Sequence, residues 1–135
     1  MALMTWNDGL SVNVKEIDAQ HKKLIGLINQ LHGAMSEGKG KEASGKILSD
    51  LLYYTVSHFT YEEKLFQQYG YAGYDAHRKD HEDLTGQVKD FKSQFDKGTL
   101  GLTLKLMTFL KDWLNNHILG TDKKYVAFLN SKGVV

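Results

Sequence analysis

The chain has 135 residues, of which 41% are hydrophobic and 24% charged, and this balance predicts a single domain with a packed core. Its net charge of +1 gives no electrostatic reason to expect a nucleic-acid partner, and the absence of cysteine excludes disulfides, zinc-thiolate sites and iron–sulfur clusters. Because no apolar run approaches the roughly 20 residues of a membrane helix, and the first ten residues do not resemble a secretory signal, we expect a cytoplasmic protein without membrane insertion.

Glycine pairs divide the chain into segments with a helical pattern. There are 13 glycines and no proline, and glycine just past a helix end is a common stop signal. The glycine pairs that make the breaks are Gly38 and Gly40, Gly70 and Gly73, and Gly98 and Gly101. They predict a leader over residues 1–17 and four helices, at Asp18–Glu37, Lys41–Tyr69, Tyr74–Lys97 and Leu100–Leu119.

Each predicted helix has apolar residues at steps of three and four, which place one stripe on the inward side. Four amphipathic helices with short links predict an all-α fold, an up-down-up-down antiparallel four-helix bundle. We expect one domain over residues 1–135, with a non-helical leader at 1–17 and the bundle at 18–135. Trp6 is expected to pack the leader against the bundle.

Histidines and carboxylates interrupt the apolar stripes, although burying such groups is costly unless they are paired or bind a metal. In an antiparallel bundle the starts of helices one and three lie beside the ends of helices two and four. Seven interrupting side chains therefore gather at one end: His21, His58, Glu62, His77, His81, His117 and Asp122.

The spacing within two of the helices supports this interpretation. His77 and His81 are four residues apart, as are His58 and Glu62, so each pair lies on one helix face. Glu63 is five residues from His58 and is turned roughly 140° away from it, so we expect Glu63 in solvent.

His117 and Asp122 are also five residues apart, which a regular helix does not align. Gly120 lies between them. We therefore expect a bulge or a helix end that turns Asp122 inward.

Nitrogen and carboxylate ligands without sulfur suit iron, manganese or zinc, and seven are too many for one ion. If two octahedral ions are bridged by both carboxylates and one solvent oxygen, these ligands fill all but one coordination position. A vacant position beside a second redox metal is what reversible dioxygen binding requires.

Five motifs give the chain a resemblance that extends over nearly its whole length. They are Trp6-Asn7-Asp8, Asp18-Ala19-Gln20-His21, His58-Phe59-Thr60-Tyr61-Glu62-Glu63, His77-Arg78-Lys79-Asp80-His81 and His117-Ile118-Leu119-Gly120-Thr121-Asp122. In these motifs the chain resembles the hemerythrin family, specifically the single-domain bacterial hemerythrins.

The resemblance implies two iron ions that alternate between Fe2+ and Fe3+. It implies that His77, His81 and His117 bind one iron. It implies that His21 and His58 bind the other, which keeps the open position. Glu62, Asp122 and an oxo or hydroxo group would bridge the two ions.

The resemblance also implies a function, reversible dioxygen binding for storage, transport or scavenging. An apolar pocket covers the open position in the family, and the matching residues here are Leu24, Phe59, Trp113, Leu114 and Ile118. Taken without the resemblance, the aromatic residues among them are ordinary core candidates.

Two other functions remain open: a sensor of oxygen, redox state or iron, and a di-iron enzyme acting on peroxide or nitric oxide. We expect no enzymatic activity, because the Glu-x-x-His pairs of oxidising di-iron bundles are absent from the sequence. We further expect a monomer, with an oxygen-consuming enzyme as a candidate recipient of the oxygen.

Two further residues bear on the extent of the site. His32 lies eleven residues after His21, so it shares that helix face but sits roughly 16 Å further along the axis. We expect it to be structural. Tyr125 follows Asp122 by three residues and either donates a hydrogen bond near the metals or simply packs, which the sequence leaves open.

Overall fold

The structure, a computed structural model, describes residues 4–36, 41–97 and 104–135, and within these ranges all regular secondary structure is helical. The long helices are α1 (Lys15–Ser36), α2 (Lys41–Tyr69), α3 (Tyr74–Asp96) and α4 (Leu104–Asn116). The shorter elements are a 3-10 turn (Asp8–Leu10), a π turn (His117–Thr121), a second 3-10 turn (Asp122–Tyr125) and α5 (Val126–Ser131).

The four helices form the predicted antiparallel bundle. α1 packs against α2, α2 against α3, and α1 against α4. α3 also contacts α4, where the ring centroids of Phe91 and Phe109 lie 4.8 Å apart. Fully buried side chains such as Leu31, Leu51 and Leu110 fill the interior. Burial of each large apolar side chain contributes about 1.5–3 kcal/mol, which explains why the amphipathic stripes determine the fold.

The bounds of α2 agree with the sequence prediction, and α3 ends one residue before its predicted end. Gly70 follows α2 with a φ of +71°, a left-handed conformation that glycine adopts without strain. Some predicted features lie outside the described residues: the first helix's end at Glu37, the fourth's start at Leu100, and the breaks at Gly38, Gly40, Gly98 and Gly101.

The leader, expected to be non-helical over residues 1–17, contains the 3-10 turn at Asp8–Leu10, and α1 begins three residues earlier than expected, so residues 15–17 are helical. The carboxylate of Asp18 accepts hydrogen bonds from Ser11 Oγ at 2.6 Å and from the Val12 amide at 2.8 Å. These bonds fasten the leader across the first turn of α1. Trp6 is half-buried against the core, as expected, with Lys22 Nζ 5.0 Å from its ring centre.

None of the helices in the described part of the chain is long and apolar enough to cross a membrane.

Candidate metal centre

The structure brings all seven predicted ligands together at one end of the bundle. Every one of them is at least 95% buried. Their nitrogen and oxygen atoms form two groups, each compact enough to surround one metal ion. One group contains Glu62, His77, His81, His117 and Asp122, and the other contains His21, His58, Glu62 and Asp122. The two groups therefore share both carboxylates.

Asp122 lies between the two groups and offers each a different oxygen. Its Oδ1 is 3.0 Å from Nε2 of His77 and 3.0 Å from Nε2 of His117. Its Oδ2 is 3.1 Å from Nε2 of His21. The two oxygens of Asp122 therefore face histidines of different groups.

Glu62 presents mainly one oxygen to the histidines. Its Oε1 is 3.2 Å from Nε2 of His81, 3.4 Å from that of His58 and 3.9 Å from that of His77. Its Oε2 accepts a hydrogen bond of 2.6 Å from the Tyr125 hydroxyl, and Tyr125 is fully buried. Of the two roles that the sequence left open for Tyr125, the structure therefore shows the hydrogen bond near the ligands.

The π turn at His117–Thr121 explains how two residues five positions apart reach the same place. A π turn has hydrogen bonds from residue i to i+5, so it aligns side chains that a regular α-helix would separate. The backbone amide of Asp122 correspondingly bonds to the carbonyl of His117. The expected bulge is thus confirmed, and it ends regular α4 at Asn116, three residues before the predicted end.

The inward-facing atoms of this cluster are buried and lie within ion-pair distance of one another, but within the described part of the chain none of them has a partner in full hydrogen-bond geometry. They are Nε2 of all five histidines, Oε1 of Glu62 and both oxygens of Asp122. An unpaired buried polar atom costs about 1–3 kcal/mol, and more when it is charged, so this many would be strongly destabilising by themselves. Nitrogen and oxygen lone pairs that converge on shared points fit metal ions, which would satisfy them.

In two of the histidines the outer ring nitrogen, Nδ1, faces a hydrogen-bond acceptor on another side chain. Nδ1 of His58 lies 2.6 Å from Gln20 Oε1, and Nδ1 of His81 lies 3.1 Å from Glu63 Oε2. Facing an acceptor, each Nδ1 carries the proton, which leaves the Nε2 lone pair directed inward for a metal.

The expectation that Glu63 lies in solvent is therefore wrong. Its side chain is turned away from His58 on α2, but it reaches the neighbouring helix α3 and contacts His81, with 24% of its surface exposed. The angle around a single helix could not reveal this contact, because the partner belongs to another helix. The same reason explains why the sequence did not reveal Gln20.

Burial keeps two of these imidazoles neutral. It lowers the pKa of His58 to about 4 although Glu62 opposes the shift, and it lowers the pKa of His81 to about 3, assisted by the neighbouring His77. Neutral imidazole is the form that binds metals, so both are ready to bind at neutral pH.

Contacts between charged groups, as well as burial, shift the pKa values of His117, Asp122 and Tyr125. Burial by itself would lower the pKa of His117, but the contact with the Asp122 carboxylate, together with the nearby Glu62, outweighs burial and raises it. Although burial opposes it, the His117 contact in turn holds the pKa of Asp122 well below its usual range. Burial, with Asp122 and Glu62 nearby, raises the pKa of Tyr125 well above its usual value, so its hydroxyl keeps its proton and acts as a donor.

The five residues expected to form a dioxygen pocket are all buried in the hydrophobic core: Leu24, Phe59, Trp113, Leu114 and Ile118. The Phe59 ring is stacked on His81, with centroids 3.8 Å apart, and lies 6.3 Å from the Trp113 ring. Their covering of a bound ligand remains a prediction. His32 is half-buried and belongs to neither ligand group among the described residues, so its structural assignment also remains a prediction.

A four-helix bundle with a buried cluster of histidines and carboxylates at one end defines a class of metal-binding protein. Residues 12–129 of the chain match the family model named Hemerythrin HHE cation binding domain. The chain therefore belongs to the hemerythrin family, and its ligand cluster fits a di-iron centre.

Individual relatives agree with this assignment. A bacteriohemerythrin of Methylococcus capsulatus is 39% identical over 132 residues, which cover 97% of this chain and 100% of that protein. One from Stenotrophomonas maltophilia is 36% identical over 125 residues, covering 93% of this chain and 80% of that protein. A crystal structure of wild-type hemerythrin is similar with a TM-score of 0.88 and 37% identity, covering 93% of this chain and 97% of that chain.

Proposed function

We propose that this protein binds dioxygen reversibly at a pair of iron ions, as an oxygen-storing, oxygen-carrying or oxygen-scavenging protein. The observation that carries the proposal is the pair of ligand groups that share Glu62 and Asp122. Two ferrous ions held side by side supply the two electrons that dioxygen accepts on binding. In this proposal both carboxylates bridge the ions, together with an oxo or hydroxo group.

The difference between the two groups indicates where dioxygen binds. One group has three histidines, whereas the other has only His21 and His58 beside the shared carboxylates. The second group therefore supplies one nitrogen fewer, and we assign the open position to its ion. The vacancy is a consequence of the ligand set and needs no change in the fold.

The surroundings of the ligands support binding rather than turnover. Leu24 and Ile118 are fully buried and Leu114 is 1% exposed, so apolar side chains exclude water from this part of the core. The hydroxyl of Tyr125 is already donated to Glu62, and its raised pKa makes it a poor source of protons. A site that withholds water and protons favours release of dioxygen unchanged.

The proposal is tested by cycles of oxygenation on iron-loaded protein. The protein is reduced without oxygen, exposed to air and then purged with argon, while its optical absorption is recorded. We expect a new absorption in air that disappears under argon and returns over several cycles. Irreversible oxidation in the first cycle would contradict carriage and favour the sensor or enzyme alternatives.

Two histidine variants provide a matched comparison. His58→Gln removes a predicted ligand of the ion with the open position, so the absorption should be lost. His32→Gln makes the same chemical change outside both ligand groups and should cycle like the unaltered protein. Equal loss in the two variants would contradict the assignment of the ligands.

A further inference from the structure

The outer nitrogens of two predicted ligands face acceptors of different charge. Nδ1 of His58, in the two-histidine group, faces the neutral amide oxygen of Gln20. Nδ1 of His81, in the three-histidine group, faces the carboxylate of Glu63. The two halves of the metal centre thus differ in their outer contacts as well as in their number of histidines.

α2 supports the His81 ring at two points. The ring of Phe59 is parallel to it, with an angle of 3° between the planes and 3.8 Å between the centroids. Glu63, one turn further along α2, contacts the edge of the ring at Nδ1. A stacked face together with a hydrogen-bonded edge fixes both the plane of the imidazole and its rotation within that plane. Nε2 consequently stays directed at Glu62, 3.2 Å away.

We propose that Glu63 is a positioning residue, which holds His81 in its Nδ1–H form and makes it the more strongly donating ligand. This inference rests on the proposed di-iron site. A hydrogen bond to an ionised acceptor is roughly twice as strong as one to a neutral acceptor, and it increases the electron density that the imidazole offers through Nε2. Glu63 thereby strengthens the three-histidine half of the centre, whereas Gln20 orients His58 without adding charge.

Part of the Glu63 side chain is in contact with solvent. It lines a groove of about 280 Å³ between α2 and α3 that is open to solvent, and Lys89 and Glu82 line the same groove. A partly exposed carboxylate does not pay the full cost of burial. For the same reason, substitution of Glu63 should leave the core intact and the protein folded.

Three variants of the full-length protein separate orientation from charge. Glu63→Gln keeps an oxygen that accepts the Nδ1–H bond but removes the charge, whereas Glu63→Ala removes the acceptor. Glu82→Gln is the matched control, because Glu82 lies in the same groove but is exposed and pairs with Arg78 at 3.4 Å. Thermal melting of each metal-free variant checks that it is folded.

The first measurement is made on metal-free protein. Long-range proton–nitrogen NMR of nitrogen-15-labelled histidine reports which ring nitrogen of His81 carries the proton. We expect the Nδ1–H form in the unaltered protein, in Glu63→Gln and in Glu82→Gln, and a mixture of both forms in Glu63→Ala. An undiminished Nδ1–H form in Glu63→Ala would overturn the orienting role.

The second measurement is a competition titration with Co2+, whose absorption reports its coordination. We expect the affinity of one of the two sites to fall on the order of 10-fold in Glu63→Gln and up to about 100-fold in Glu63→Ala. Glu82→Gln should match the unaltered protein. Unchanged affinity in both Glu63 variants, or an equal loss in Glu82→Gln, would overturn the proposal. Failure of the unaltered protein to bind two Co2+ ions would instead contradict the paired site itself.

Discussion

Replacement of Leu114 with alanine tests whether the apolar core beside the ligands protects bound dioxygen. Leu114 on α4 is 1% exposed and precedes His117, the first residue of the π turn, by three residues, so the two side chains lie on the same side of this continuous helical segment. Leu→Ala at a buried position costs about 2–5 kcal/mol in the free energy of unfolding. For a domain of this size the melting temperature should fall by about 8–20 °C, at roughly 4 °C per kcal/mol.

The functional effect of Leu114→Ala should be separate from this loss of stability. A smaller side chain admits water to the site, and water stabilises the charge separation by which bound dioxygen leaves in reduced form. We therefore expect a folded protein with two irons whose oxygenated absorption decays several-fold faster, measured in air-saturated buffer at a temperature well below melting.

Leu110→Ala is the matched control. Leu110 is fully buried and lies one turn further from His117 on the same helix. Its replacement should lower the melting temperature by a similar amount without changing the rate of decay. Equal decay rates in Leu114→Ala and the unaltered protein would refute the reasoning and leave Leu114 as ordinary core.

Three further predictions follow from the contacts of the cluster. Glu62→Ala should lose most of both irons, because this carboxylate belongs to both ligand groups; elemental analysis that still finds two irons per chain would contradict its shared role. Tyr125→Phe should lower the free energy of unfolding of the metal-free protein by about 1.5–3 kcal/mol, the usual value of a hydrogen bond to a charged group, and chemical denaturation without a measurable change would be inconsistent with this bond. Removal of iron by a chelator should lower the melting temperature, because the buried nitrogen and oxygen atoms of the cluster then lose the metal ions that satisfy them; a scan that shows equal melting with and without iron would argue against the metal site.

The parts of the site that the sequence predicted depend on position along single helices. His77 and His81 share a face because they are four residues apart, and the antiparallel topology brings them to the end of α2 that carries His58. The turn before Asp122 was also predictable. A regular helix would not align His117 with Asp122, five residues later, and Gly120 between them indicates a departure from regular helix.

The features that the sequence did not reveal are contacts between different helices. Gln20 and His58 are 38 positions apart, and Glu63 and His81 are 18 apart. Side chains of this length reach across a helix interface in directions that depend on the rotation of both helices, which periodicity does not determine. The early start of α1 was missed for a similar reason, because it depends on Asp18 bonding back to the leader.

The most direct test of the central claim is the stoichiometry of oxygen uptake on a sample whose iron and protein are both counted. Reduced protein is titrated with air-saturated buffer in a closed cell with an oxygen electrode, and argon purging then measures the gas that is released. We predict two irons per chain, uptake of one dioxygen for each pair of irons, and release of nearly all of it. One iron per chain, or continued consumption of oxygen beyond one molecule per pair, would contradict the account.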